Sequence, residues 1–305
     1  MTIEPPAAGE PRRPSGPRNP GDAWVVSDAG ERYWGRFGAA GLLAVDAERG
    51  ILLQHRVEWS HFGGTWGLPG GALHEGESAV AGAIREAQEE AGVPDGAVRT
   101  RFTSRLDREI WSYTTVVADV VEPFEPTITD PESVALEWVP LDDVTDRELH
   151  PGFEKAWPML RDLLNVKPVI VVDAANVVGS VPDGWWRDRA GAAARLRDRL
   201  QRLAEHGLPA DELDLPATHW FPEFVLVVEG KARAIGPASD RTQSTSTVRV
   251  IAARGEGDDA IVAEARAMID RGNTVTVVTS DRELRERVEA AEASARGARW
   301  LLNAL

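Results

Sequence analysis

The chain contains no cysteine. That absence excludes disulfide staples and thiolate metal centres, leaves oxygen and imidazole as the ligands open to a metal, and suits a reducing cytoplasm. Long apolar runs are also missing. No stretch approaches the roughly 20 residues that span a bilayer, so no membrane contact is expected. The opening residues, MTIEPPAAGEPRRPSGPRNPGD, have no signal-peptide core and are rich in proline, which predicts a disordered tail over residues 1–22 of a soluble, cytoplasmic protein. Positive charge is scarce as well: 34 Lys and Arg face 49 Asp and Glu, a net charge of −15. Broad adhesion to nucleic acid or anionic lipid is disfavoured by that balance. The deficit is uneven, with 18 basic against 21 acidic side chains from Pro168 onward and the remaining 16 against 28 before it. A local basic surface is therefore easier to build in the second half.

The 305 residues are 43% hydrophobic and 27% charged, enough for two domains with separate cores. After the tail, AAGLLAVDAERGILLQHRV reads as two strands joined at Gly50. SAVAGAIREAQEEAG places Val80, Ala83, Ile84 and Ala87 on one face of a helix closed by Gly92. Strands are expected in IWSYTTVVADVVE and VALEWVPL, and a helix in HPGFEKAWPMLRDLL. The β-branched run in KPVIVVDAANVV marks a strand buried on both faces, and a boundary is placed at about 165–168. Beyond it, strand signals in FVLVVEG, TVRVIAA and NTVTVVTS alternate with helical patterns in RDRAGAAARLRDRLQRLAEHG, DDAIVAEARAMIDRG and SDRELRERVEAAE. That alternation predicts a parallel α/β sheet with right-handed crossovers.

On the first of these helices Glu86, Glu89 and Glu90 share a face. Carboxylates so close repel unless water screens them or a hard cation such as Mg²⁺ joins them. Arg85 stands one turn before Glu89 and can grip a glutamate bidentately. The preceding WGLPGG supplies backbone that can approach a phosphate.

Gly71, Glu77 and the run Arg85-Glu86-Ala87-Gln88-Glu89-Glu90-Ala91-Gly92-Val93 match the Nudix box, G-x5-E-x7-R-E-U-x-E-E-x-G-U, without a gap. Seven fixed identities at residue frequencies of about 1 in 15 give chance odds on the order of 10⁻⁸ per position, so the segment is identified as a member of the Nudix family. The resemblance implies an α/β/α sandwich with a mixed sheet over residues 23–165, and hydrolysis of a nucleoside diphosphate linked to another group. It implies Mg²⁺ or Mn²⁺ on Glu86, Glu89, Glu90 and the Gly70 carbonyl, with Arg85 and Glu77 orienting the site. Glu89 is the expected general base, with Glu132 and Glu137 as alternatives outside the box.

The WGLPGG lead-in resembles the MutT-type branch, which cleaves nucleoside triphosphates, oxidised ones included, to the monophosphate and pyrophosphate. Arg108 and Glu109 stand where many ADP-ribose hydrolases carry a proline, which lowers that alternative. Trp66, Trp111 and Tyr113 are candidates for stacking on a base or for the core. His55, His61 and His74 have no ligand-like spacing. A homodimer is a family expectation.

In the second half, acids fall at strand ends or at the helix starts beyond them: Asp173, Glu229, Asp258, Asp259 and Asp281. Ligand crevices form there in parallel sheets, although an aspartate at a helix N-terminus also has a capping role. Asp173-Ala174-Ala175-Asn176, Asp258-Asp259-Ala260-Ile261 and Ser280-Asp281-Arg282-Glu283-Leu284 resemble, in that order, the short signatures of NYN/PIN-like ribonucleases. Over residues 168–305 the resemblance implies Mg²⁺ or Mn²⁺ on Asp173, Asp258, Asp259 and Asp281, with Asn176 positioning a carboxylate or phosphate and RNA as the substrate. Ala174 stands where that family commonly has glycine. The alternative functional reading makes this half the working part, cutting or binding RNA while the Nudix half senses a nucleotide.

Overall fold

The computed structural model describes residues 1–6, 21–182, 184–235 and 248–305. The chain divides into two compact units, Met1–Leu163 with Pro216–Thr218, and Leu164–Leu215 with His219–Leu305.

The first unit begins with a small antiparallel sheet of β1 (Thr2–Glu4), β2 (Trp24–Val26) and β3 (Arg32–Trp34). Thr2–Glu4 pairs with Trp24–Val26, which corrects the expectation of a structureless start; residues 7–20 of the expected tail lie outside the described residues. The main sheet is built on β4 (Ala39–Asp46), β5 (Gly50–Arg56), β6 (Trp66–Gly67), β7 (Gly70–Ala72), β8 (Val98–Asp107), β9 (Ser112–Val120) and β10 (Ser133–Val139). Its path runs β10-β5-β4-β9-β8, with β6 on β5 and β7 on β4. β4 pairs parallel to β9 and antiparallel to β5, so the sheet is mixed. Gly50 turns the β4–β5 hairpin at φ 94°, and a Cβ there would lie 2.1 Å from the Val139 carbonyl oxygen. No other residue fits without moving that backbone.

α1 (Ala79–Ala91) starts where the Ser78 hydroxyl accepts the Ala81 N–H, and ends at Gly92 in the left-handed conformation, φ 64°. Its small apolar residues Ala83, Ala87 and Ala91 lie fully buried with Ala40, Leu42, Ala44, Val116 and Ala118, so helix and sheet approach closely. α2 (Pro151–Leu163) buries Phe153, Trp157, Leu160 and Leu163.

The second unit is a doubly wound sheet of β11 (Pro168–Asp173), β14 (Glu223–Val228), β15 (Val248–Ala252), β16 (Thr274–Val278) and β17 (Ser294–Arg296), all parallel in the order β15-β14-β11-β16-β17. A short ribbon, β12 (Leu208–Pro209) and β13 (His219–Trp220), precedes β14. Alternate residues serve the two faces. Ile170, Val172, Phe224 and Leu226 meet α3 (Ala174–Gly179), α4 (Arg189–His206) and α7 (Ala298–Ala304). Val169, Val171, Val225 and Val227 meet α5 (Gly257–Ile269) and α6 (Arg282–Glu289). The order places a switch point between β11 and β16, beyond whose carboxyl ends a crevice opens. Among the described residues no helix is long and apolar enough to cross a membrane.

Ile170 is fully buried on the central strand, so Ile170→Ala is expected to cost about 2–5 kcal/mol of unfolding free energy. Urea titration of the full chain checks this, and a loss below about 1 kcal/mol would mean the layer collapses around the gap.

Candidate active site

Five of the acids and bases predicted in the first unit converge where β7 passes α1. Arg85 is the hub. Its Nε and Nη2 donate to the two carboxylate oxygens of Glu77, both at 2.8 Å, while Nη1 donates to Glu86 at 2.6 Å and Nη2 to the Ala72 carbonyl at 3.1 Å. Glu89 joins as a looser ion pair at 3.5 Å. The His74 N–H also donates to Glu77, closing the loop onto the helix. The Arg85 guanidinium holds the Glu77 carboxyl down to about 2 against the opposing effect of burial, and Glu77 in turn raises the Arg85 value.

Glu90 stands apart from the arginine. It is 6% exposed and accepts the Gly70 N–H at 2.9 Å and the Gln54 side-chain amide at 3.3 Å. Gln54 is itself fully buried and donates to Ser133 at 2.8 Å. Burial above all, then the charges of Glu86 and Glu132, push the Glu90 carboxyl well above the usual range, with Asp130 adding to the shift. Gln54, Ser133 and Asp130 are the neighbours that spacing within the helix could not reveal, since β5, the start of β10 and the segment before it deliver them. Glu132 lies within electrostatic reach of Glu90, whereas Glu137 is engaged with Arg147 at 2.8 Å.

Gly70 and Gly71 are glycines for steric reasons. A Cβ on Gly70 would lie 2.4 Å from the Ala40 carbonyl oxygen, and one on Gly71 would lie 2.8 Å from the Glu86 carboxylate. Glu86, Glu89 and Glu90 project from one helix as expected, but among the described residues no cluster of three or more His, Asp or Glu is gathered tightly enough to hold a metal ion by itself. Arg85 accounts for part of this by drawing Glu86 toward Glu77. The donor chemistry nevertheless fits a hard cation, because two buried carboxylates, Glu86 and Glu90, lie within electrostatic reach of each other and offer oxygen ligands.

The aromatic candidates divide. Trp66 is 8% exposed and stacks on His55 at 4.7 Å, with Arg147 over its ring, a core position. Trp111 donates its indole N–H to the Trp34 carbonyl and stacks on Tyr33 at 4.9 Å. His55 contacts the Gly64 carbonyl through Nε2, and His61 packs edge-on to Trp24. His74 serves through its backbone.

In the second unit a cavity of about 180 Å³ at the strand ends is lined by Asp173, Asn176, Glu229, Asp258 and Asp281. Asp173 caps α3 by accepting the Asn176 N–H at 3.0 Å and also accepts the Thr279 hydroxyl at 3.0 Å. Its carboxyl is raised by burial, which those hydrogen bonds oppose and the charges of Asp258 and Glu229 reinforce. Burial and then Asp281 raise Asp258. Asp281 caps α6 through the Leu284 N–H. The Asn176 side-chain oxygen accepts the Ser280 N–H at 2.8 Å, joining the turns after β11 and β16. Asp259 corrects the expectation: it is turned out of the cavity and bonds Arg287 at 2.6 Å. Neighbouring residues on a helix point about 100° apart, so Asp258 and Asp259 cannot both face the same wall.

The glycine turn docks on a helix of arginine-oriented glutamates, carried on a mixed sheet. The NUDIX domain family profile matches residues 35–163. A putative 8-oxo-dGTP diphosphatase 3 of Mycobacterium tuberculosis is 48% identical over 154 residues, 47% of this chain and 70% of that protein. A nucleoside triphosphate pyrophosphatase/Nudix hydrolase fusion protein of Bifidobacterium longum is 42% identical over 147 residues, 46% of this chain and 30% of that protein. Among solved structures, a Nudix hydrolase from M. smegmatis is 44% identical with a TM-score of 0.44, covering 47% of this chain and 95% of that one. The chain belongs to the Nudix hydrolase family and is a pyrophosphohydrolase. Enzymes of this family generally use divalent metal ions.

The Gly71→Ala variant places a methyl against the Glu86 carboxylate, and a displacement approaching 1 Å lowers kcat about 10–100-fold. Steady-state pyrophosphate release measures it. Gly67→Ala is the control, since its Cβ meets only ordinary contacts at 3.5 Å; equal turnover in the two variants would mean that the position of Glu86 does not matter.

Proposed function

We propose that the first unit hydrolyses a nucleoside triphosphate, oxidised purine triphosphates included, to the monophosphate and pyrophosphate. The convergence of Glu77, Glu86 and Glu89 on Arg85, beside the buried Glu90, carries the reading. The name of the M. tuberculosis relative supports the oxidised substrate. Glu86, Glu89, Glu90 and the Gly70 carbonyl would hold Mg²⁺ or Mn²⁺. When bound, the cation draws charge from the phosphate oxygens and makes the attacking water more acidic. Water adds to phosphorus, the anhydride P–O bond breaks with its electron pair on the leaving phosphate, and a glutamate takes the proton. Glu89 suits that task because its side chain is 41% exposed, whereas those of Glu77 and Glu86 are largely buried. Arg85 fixes Glu86 in one orientation, and Glu77 fixes Arg85.

A second reading concerns residues 168–305 as an NYN/PIN-like domain that cuts or binds RNA. It rests on the cavity at the switch point, where Asp173, Glu229, Asp258 and Asp281 share one wall. Three of the four signature acids line it, and Asp259 does not.

The deciding experiment offers purified full chain and Mg²⁺ a panel of nucleoside triphosphates, 8-oxo-dGTP, dinucleoside polyphosphates, nucleotide sugars and single-stranded RNA. Glu89→Gln is expected to lower nucleotide turnover at least about 100-fold, while Asp173→Asn leaves it unchanged and removes any RNA cleavage. Loss of nucleotide turnover in a folded Asp173→Asn protein would sink the independence of the two sites.

A further inference from the structure

Tyr113 has a feature that the packing alone does not account for. It sits on β9 opposite Ala39 of the parallel strand β4, and its ring leans along the strand toward Gly41. A Cβ built on Gly41 would lie 2.2 Å from the phenolic oxygen and 3.3 Å from Cζ. The hydroxyl therefore occupies the space a side chain at position 41 would fill. Gly41 in turn pairs with Gly70, whose N–H is given to Glu90, and the two glycines approach so closely that a Cβ on Gly70 would lie 2.5 Å from the Gly41 Cα. The phenol thus covers the glycine platform beside the glutamate site.

The ring is only partly buried, and among the described residues the hydroxyl has no hydrogen-bond partner, although tyrosine hydroxyls in such settings normally find one. Two charges act on it: Arg56, and Glu90 on the box helix. Burial first, with Glu90 outweighed in rank by Arg56, leaves the phenol raised to about 12, so the O–H remains a donor at any working pH. A free donor over a glycine floor, with a guanidinium and an acidic metal-type site within electrostatic reach, lacks only an anionic acceptor.

We propose that the Tyr113 hydroxyl is a substrate-binding donor that hydrogen-bonds a non-bridging phosphate oxygen of the nucleotide at this site. The inference rests on the pyrophosphohydrolase reading of the first unit and adds to it a contact made by β9, outside the glutamate helix. The glycine at position 41 is then required for binding geometry as well as for packing.

The test compares Tyr113→Phe with the wild-type full chain and with Tyr33→Phe, using Mg²⁺ and the triphosphate cleaved best in the panel. A hydrogen bond to a charged group is worth about 1.5–3 kcal/mol, which converts to roughly 10–150-fold, so KM is expected to rise by that factor in Tyr113→Phe with a thermal midpoint unchanged. Inhibition by inorganic pyrophosphate should weaken in parallel, while inhibition by the unphosphorylated nucleoside stays constant; a purely structural role would move neither ligand selectively. KM and pyrophosphate inhibition equal to wild type overturn the inference while the hydrolase reading stands. A loss confined to the nucleoside overturns the phosphate assignment. A wild-type chain that hydrolyses no nucleotide removes the hydrolase reading first, and this inference with it.

Discussion

The guanidinium of Arg85 is the contact on which the first unit's site depends. Four of its hydrogen bonds run to three different places: the glutamate at the end of the glycine turn, the next residue on its own helix, and a strand carbonyl. Because the group is planar and its donors are fixed in a fork, the turn and the helix cannot slide past one another without breaking several bonds together. Two nearby glycines belong to the same arrangement. Gly71 leaves room for the Glu86 carboxylate, and Gly82 leaves room for Leu73, whose Cδ2 would be 2.3 Å from any Cβ there, and for Glu77. Without the arginine, Glu77 and Glu86 would lose the guanidinium that balances their charge in a largely closed space.

The two acidic sites solve the same electrostatic problem differently. In the first, a fixed cation neutralises part of the set and a single glutamate, Glu90, is left against backbone and amide N–H groups. In the second, the carboxylates of the cavity rely on a hydroxyl and on helix-start N–H groups, and the guanidinium of Arg287 is claimed by Asp259. Burial raises the carboxyls of Asp173 and Asp258, opposed at Asp173 by the hydrogen bonds from Asn176 and Thr279 and at Asp258 by the charge of Arg287. A helix start can satisfy an aspartate locally and still present its second oxygen elsewhere, which is why capping and ligand binding need not exclude one another.

The box was legible because its chemistry lies on one helix and one turn, where spacing in sequence is spacing in space. Gln54, Ser133 and Asp130 were not legible, since only strand pairing brings residues 36 or more positions away against Glu90. Tyr113 was visible as an aromatic, but nothing in its neighbours says that a glycine on another strand clears a place for its hydroxyl. The parallel sheet of the second unit could be read from β-branched runs because both of its faces are covered. Asp258 and Asp259 could not be told apart, since adjacency fixes their angular difference but not which of them faces the strand ends. The small sheet of β1 to β3 was missed for a plain reason: its strands are three residues long with mixed polarity, below the length at which alternation carries a signal.

The strand order of the second unit also bears on how the chain acquires its structure. β11 is the first strand of that sheet to be synthesised, yet it ends in the middle, between β14 and β16. Its last residue, Asp173, meets Thr279 across a separation of 106 positions. Until that distant segment emerges, a strand that is apolar from Pro168 to Val172 has one edge unpaired, and closing the loop carries an entropic cost that local helices do not meet. During synthesis, β11 is therefore the element of this unit most exposed to pairing with another chain.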